Sequence, residues 1–133
     1  MEYTGQNIED YIYTKIKSLK LSIKGKTYKK GMRPMGSQTE DCVVSFLSGT
    51  AEQIQQGFVV VNVYVNNILG SDGMYYRDIK RCATIESVLA GIVDKLNEQG
   101  EIYFSKDGMV VTLPEEDLKQ HFVSLKMKFK VLQ

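Results

Sequence analysis

Gly57-Phe58-Val59-Val60-Val61-Asn62-Val63-Tyr64-Val65-Asn66 is the stretch on which the fold turns. It is nearly all β-branched or aromatic and carries no charge. The polar run Gln53-Ile54-Gln55-Gln56 precedes it. At a period of two, Val59, Val61, Val63 and Val65 share one face, and Phe58, Val60, Asn62 and Tyr64 share the other. Both faces are mainly apolar, which predicts a central strand covered on both sides.

Working outward, Asp41-Cys42-Val43-Val44-Ser45-Phe46-Leu47 reads as a second strand. Ser48-Gly49-Thr50 then turns the chain, so the two strands are expected to pair antiparallel. Upstream, Ile8, Tyr11, Ile12, Ile16 and Leu19 recur at helical spacing. Asn7 is the expected N-cap, with Glu9 and Asp10 favouring the positive end of the helix dipole. Leu19 to Lys24 alternates as the start of an extended segment. Gly25 to Gln38, with Gly25, Gly31, Pro34 and Gly36, predicts a hairpin-like or mobile loop with a short strand near Thr27 to Lys30.

Downstream, Asn67 to Tyr76 reads as a linker. A helix is predicted from Arg77 to Gln99, with a stripe of Ile85, Val88, Leu89, Ile92, Val93 and Leu96. Ile79 and Cys82 join that stripe one turn earlier, and Gly100 stands at the C′ position. Glu101 to Ser105 and Met109 to Leu113 flank Lys106-Asp107-Gly108, whose Asp-Gly pair predicts a tight hairpin. Pro114-Glu115-Glu116-Asp117 is an acidic loop with room for one helical turn. In the last strand Val123, Leu125, Met127, Phe129 and Val131 point one way, and Ser124, Lys126, Lys128 and Lys130 the other.

This order predicts one α+β domain over residues 1–133, with a mainly antiparallel sheet of about five strands and two helices packed on it (α-β-β-β-α-β-β). The 133 residues suffice for a core without disulfides or metal. A net charge of +1 argues against overall electrostatic attraction to nucleic acid or membrane. No run approaches the roughly 20 apolar residues of a membrane span, and the polar start Met1-Glu2-Tyr3-Thr4-Gly5 is unlike a secretory signal. Cys42 and Cys82, the only cysteines, fall in apolar patterns and read as buried free thiols in a reducing cytoplasm.

No catalytic or metal-binding set emerges. His121 is the one histidine and stands alone before the last strand. Two cysteines and one histidine lack zinc-motif spacing, and the adjacent acids Glu115, Glu116 and Asp117 cannot all face one ion. No cofactor is expected. The basic run is the strongest polar signal. Lys15, Lys17, Lys20, Lys24, Lys26, Lys29, Lys30 and Arg33 occur between Tyr11 and Thr39 without an acid, interleaved with Tyr13 and Tyr28. Such a segment can follow a phosphate backbone, or it can be a solvated helix face and loop. Lys126, Lys128 and Lys130 form a second basic row, of a kind that also guards a strand against edge pairing.

From Ile8 to Val131 the order of elements, with Gly57 to Val65 at its centre and Ser124-Leu125-Lys126-Met127-Lys128-Phe129 at its close, resembles the tail-completion (tail-terminator) proteins of long-tailed bacteriophages and prophages. The resemblance covers roughly residues 7 to 132. It implies a non-enzymatic structural protein that caps the tail tube or joins tail to head as a homo-oligomeric ring, commonly a hexamer. Its partners would be tail-tube and head–tail connector proteins, with DNA passing through the ring lumen. The protein would be cytoplasmic during assembly and then part of the virion. Lys24, Lys26, Lys29, Lys30, Arg33, Lys126, Lys128 and Lys130 are the candidate contacts to a partner, another subunit or DNA. Gly25 to Gln38, Asn66 to Asp72 and the final strand are the candidate contact segments. The alternative is a small nucleic-acid-binding α+β module using residues 15–33. A third reading, a small enzyme or ligand-binding domain with a pocket between helices and sheet, lacks a convergent catalytic set.

Overall fold

A computed structural model describes residues 2–50, 52 and 54–132, so expectations for Met1 and Gln53 lie outside the described residues. The order is α1 (Gly5–Leu19), β1 (Thr27–Lys29), β2 (Cys42–Gly49), β3 (Gln56–Asn66), β4 (Ile68–Leu69), β5 (Tyr75–Tyr76) and α2 (Ile79–Leu96). It continues with β6 (Ile102–Lys106), β7 (Val111–Glu115), a 3-10 turn (Glu116–Leu118) and β8 (Gln120–Val131). The fold is α+β. The main sheet has six strands in the order β1-β2-β3-β8-β6, with β7 also on β8, and β4 and β5 form a separate pair. Among the described residues only the β1–β2 pair is parallel.

The central stretch does lie mid-sheet, between β2 and β8, but it is not covered on both sides. Val59, Val61, Val63 and Val65 are buried with Cys42, Val44, Val123, Leu125, Met127, Ile102 and Phe104 under the helices. Ile8, Ile12 and Ile16 of α1 and Ile85, Leu89, Ile92 and Leu96 of α2 close that layer. Each such side chain contributes roughly 1.5–3 kcal/mol through its removal from water. Phe58, Val60, Asn62 and Tyr64 on the other face stay half-buried. Their partial burial comes from neighbours within the sheet and, at Tyr64, from Arg33 of a crossing loop; among the described residues no second helical layer covers them.

Local chemistry moves several boundaries. Thr4, not Asn7, caps α1. Its hydroxyl accepts from the Asn7 N–H, and the Asn7 side chain accepts from the Thr4 N–H, a reciprocal box that starts the helix earlier. Asp78 caps α2 through the Arg81 N–H. Ile79, at the first helical position, is 66% exposed and does not join the buried stripe. At the other end, Gln99 takes the positive φ (51°) expected of Gly100. The helix stops at Leu96 because the Asn97 side chain turns to β6, donating to the Phe104 carbonyl (2.8 Å) and accepting from the Phe104 N–H (2.7 Å). Leu19 to Lys24 forms no strand, although Leu19, Leu21 and Ile23 pack against the core.

Lys106-Asp107-Gly108 does not make a hairpin. β6 and β7 lie end to end along the same edge of β8, with Lys106 opposite Met127 and Val111 opposite Ser124. Four residues on one side therefore face two on the other, a wide bulge held by the Asp107 N–H to the Lys126 carbonyl (2.8 Å) and by Gly108 at φ 84°. The twelve-residue β8 is long enough to pair with both. The true hairpin is β7–β8 through the 3-10 turn, with Lys119 left-handed at φ 52°.

Candidate functional site

The basic loop is pinned to the sheet by a network of hydrogen bonds around Arg33 and Asp41. β1 pairs parallel with β2, which requires a crossover, and residues 30–41 supply it across the uncovered face. Arg33 is the pin. Its Nε meets Asp41 Oδ2 at 3.0 Å, one terminal nitrogen donates to the Ser37 and Thr39 carbonyls and to Gln120 Oε1, and the guanidinium lies 3.9 Å from the Tyr64 ring centre. Asp41 also accepts from the Lys26 N–H (2.9 Å), Ser37 Oγ (2.9 Å) and Thr39 Oγ1 (2.6 Å). Burial by itself would raise the Asp41 carboxyl. The hydrogen bonds from Thr39, Lys26, Arg33 and Ser37 outweigh it and hold the group below the ordinary carboxylate range.

Glu40, next in the chain, points into the helical layer. Its carboxylate takes a fork from Arg81 of α2 (3.0 and 2.5 Å), and the Arg81 guanidinium also reaches the Ser22 carbonyl (2.8 Å). Two adjacent buried acids thus form ion pairs on opposite sides of the sheet, with Arg33 nearly buried and Arg81 partly exposed. In the sequence they look like a strand leader, because the pairing partners lie 8 and 41 residues away.

The candidate basic residues do not form one patch. Lys29 bonds Asp10 of α1 (2.8 Å), and Arg33 is occupied as described. Lys24, Lys26 and Lys30 are exposed around the β1 edge. Lys126, Lys128 and Lys130 are exposed along β8 on the uncovered face, opposite Val60, Phe58 and Gln56 of β3. Lys126 lies 5.0 Å from the Phe58 ring centre and 3.3 Å from Asp107. Tyr103 of β6, half exposed, stands opposite Lys130. The Asn62 Oδ1 in the middle of this face is buried without a hydrogen-bond partner.

Two apolar surfaces went unread in the sequence. The segment read as a linker is the β4–β5 hairpin, with Ile68 opposite Tyr76 and Leu69 opposite Tyr75. Its turn is closed by the Gly73 N–H to the Gly70 carbonyl, the Met74 N–H to Asp72 Oδ1, and the Tyr76 hydroxyl to Asp72. Ile68, Leu69, Met74, Tyr75, Tyr76 and the adjoining Ile79 are each 45–66% exposed. Neighbouring residues of a strand face opposite ways, so exposure of both Ile68 and Leu69 means that neither face of the hairpin is buried, although the Lys119 ammonium lies 4.5 Å from the Tyr75 ring centre. It is an arm at the C-terminal end of β3. Its base is held by the Asn67 N–H to the Lys119 carbonyl (3.0 Å) and by Asn67 Oδ1 to His121 Nδ1 (2.7 Å). Burial and the nearby Arg77 lower the His121 pKa, favouring the neutral ring at this anchor.

At the opposite end of β3 lies a cleft of about 250 Å³ lined by Tyr3, Ile8, Phe46, Gly49, Gln55 and Phe129. Gln55 holds its wall by accepting from the Tyr3 N–H and donating to the Tyr3 carbonyl, both at 2.8 Å. Leu47, Ile54 and Leu132, each about half exposed, surround this end. A register shift between Phe46 and Ser48 leaves Leu47 without a cross-strand partner.

Both cysteines are buried and free. Among the described residues, no helix is long and apolar enough to cross a membrane, and no three His, Cys, Asp or Glu side chains converge as metal ligands. Neither a scan of protein-family models nor a search of curated proteins found a match to this chain.

Proposed function

We propose that this chain is a non-enzymatic assembly protein of the phage tail-completion type, which caps the tail tube or joins tail to head as a homo-oligomeric ring. The observation that carries this reading is the arm. A two-stranded hairpin is marginal on its own in water, and six large apolar side chains exposed on and beside one represent a patch that monomers rarely leave uncovered. Such a surface suits a partner protein, and the helix and strand order suits the tail-completion type. The chain would act in the cytoplasm during assembly and then stay in the particle. Light scattering and native mass spectrometry at high protein concentration should find a closed oligomer. Added to polymerising tail-tube subunits, the protein should limit tube length. Unlimited tube growth in its presence refutes the reading.

A second reading, a nucleic-acid-binding module, is favoured by a different surface from residues 15–33. The uncovered face sets Lys126, Lys128 and Lys130 beside Phe58 and Tyr103, cations interleaved with rings on which bases can stack. Anisotropy of a labelled single-stranded oligonucleotide should then show binding that weakens steeply with salt. Changing the three lysines to glutamate should abolish it. Binding unaffected by that change refutes this use of the face.

A further inference from the structure

Between the end of α1 and β1 lies a second cleft, of about 520 Å³, that neither functional reading uses. Ile16, Leu21 and Ile23 give it an apolar floor, and the exposed Lys17, Lys20 and Lys26 stand around it. Tyr13 lines one side, with the ammonium groups of Lys17 and Lys29 at 5.5 and 5.2 Å from its ring centre. Among the described residues no acid lines this cleft. The backbone that carries the lysines is fixed by hydrogen bonds. The Lys20 N–H closes α1 on the Lys17 carbonyl (3.3 Å), with Lys20 left-handed at φ 51°, and the Ile23 N–H returns to the Leu21 carbonyl (2.8 Å). The Gly25 N–H meets the Glu40 carbonyl (2.8 Å), the Lys26 N–H meets Asp41 Oδ1 (2.9 Å), and the Lys26 carbonyl accepts from the Cys42 N–H (2.9 Å).

The charge here does not cancel. Residues 5–41 hold eight Lys and Arg, and with Glu9, Asp10, Glu40 and Asp41 all counted as ionised the segment keeps a net +4, in a chain whose total is +1. Asp10 is matched by Lys29, Asp41 by Arg33, and Glu40 by Arg81 of α2. Among the described residues Lys17, Lys20 and Lys26 enter no ion pair. The carbonyl end of α1 offsets roughly half a charge of this excess. Cations gathered without counter-ions repel one another, and an anion of several charges seated among them removes that repulsion.

We propose that this cleft binds a nucleoside polyphosphate, with the phosphates among Lys17, Lys20 and Lys26 and the base against Ile16, Leu21 and Ile23. Its volume falls within the roughly 300–1,000 Å³ of small-molecule sites, and an apolar floor under a charged rim suits an anion with an organic body over bare phosphate. Lysine serves such an anion as a point charge. The site is separate from the tail-assembly reading and from the Lys126–Lys130 face.

Isothermal titration calorimetry with ATP in metal-free buffer tests the site. It should show one site per chain whose affinity falls as salt is raised, with inorganic tripolyphosphate and adenosine each binding more weakly than ATP. Changing Lys17, Lys20 or Lys26 singly to glutamine should weaken ATP binding by roughly tenfold or more, without lowering the thermal midpoint of the ligand-free protein. Saturating ATP should raise that midpoint in the native chain and not in the triple glutamine variant. Changing Lys126, Lys128 and Lys130 to glutamate should leave ATP binding unchanged. Absence of binding overturns the proposal, as does tripolyphosphate binding as tightly as ATP, which would leave the floor without a role. ATP binding that survives the three glutamines, or that is lost with the β8 lysines, also overturns it. So does a single-stranded oligonucleotide that binds at Lys17, Lys20 and Lys26 more tightly than ATP. A protein that binds ATP here and fails to limit tube growth keeps this site and loses only the tail reading.

Discussion

Replacing Asp41 by alanine should be among the most damaging single changes in this protein. The side chain is 1% exposed, and its partner Arg33 is 10% exposed. The substitution leaves the guanidinium desolvated above Tyr64 without its counter-ion, and leaves the Lys26 N–H, Ser37 and Thr39 without an acceptor. Breaking a buried pair from one side costs about 3–5 kcal/mol. At a urea slope near 2 kcal/mol/M, typical of small domains, that moves the unfolding midpoint down by about 2 M. Arg33→Ala should cost a similar amount, and the double variant less than the sum, because the charge stranded by each single change is then absent.

The pH dependence has a fixed sign. The Asp41 carboxyl titrates below its ordinary value in the folded protein, so its contribution is complete above the unfolded value near 3.9 and is lost as pH falls through the folded value. The stability gap between the native protein and Asp41→Asn should therefore be constant from about pH 5 to 7 and narrow below about pH 4. Urea titrations followed by circular dichroism across that range measure both effects. A midpoint shift of Asp41→Ala below about 0.5 M, or a gap that widens with acid, refutes the assignment of Arg33 and Asp41 as the pin of the crossover.

Burial pushes the Cys42 thiol up to about 12, and burial also raises Cys82. Iodoacetamide at pH 8 should leave both unlabelled in the folded protein and label both in denaturant, as mass spectrometry would report; rapid native labelling of Cys42 would contradict its place in the core. A Cβ at Gly57 would lie 2.0 Å from the Ser48 carbonyl oxygen and 2.6 Å from the Gly49 Cα, both backbone atoms. Gly57→Ala should therefore destabilise by about 1–3 kcal/mol in thermal melts, and an unchanged midpoint would disprove the close approach of β2 and β3. Ile12→Ala should cost about 2–5 kcal/mol, whereas Ile79→Ala should stay within about 0.5 kcal/mol in the monomer. Equal losses at the two would show that Ile79 is packed.

Much of the fold was legible in the chain because burial imposes a period. The alternation from Val123 to Val131 and the helical repeats of Ile8, Ile12, Ile16 and Ile85, Leu89, Ile92, Leu96 each name a buried face correctly. The antiparallel β2–β3 pair followed from the same signal. Periodicity says which residues are hidden, not by what, so the mixed second face of Phe58 to Tyr64 predicts a covering layer that the fold does not supply. The Asp-Gly pair at 107–108 predicts a tight hairpin, and the fold makes a bulge there instead. Whether it becomes a hairpin or a bulge depends on how much free edge β8 offers.

The candidate contact residues divide along the same line. The two-helix α+β architecture, the apolar core and the presence of basic residues near both ends follow from local spacing and composition alone. What those residues have left to offer depends on contacts made only in the folded chain. Arg33 is consumed by Asp41, and Lys29 is bound by Asp10. Lys126, Lys128 and Lys130 stand on a face with no helix over it, and a segment that reads as a linker projects as an apolar arm. Availability for a partner is what remains after the chain has satisfied its own charges and covered its own apolar surface. That remainder is set by contacts between residues distant in sequence, which no local pattern records.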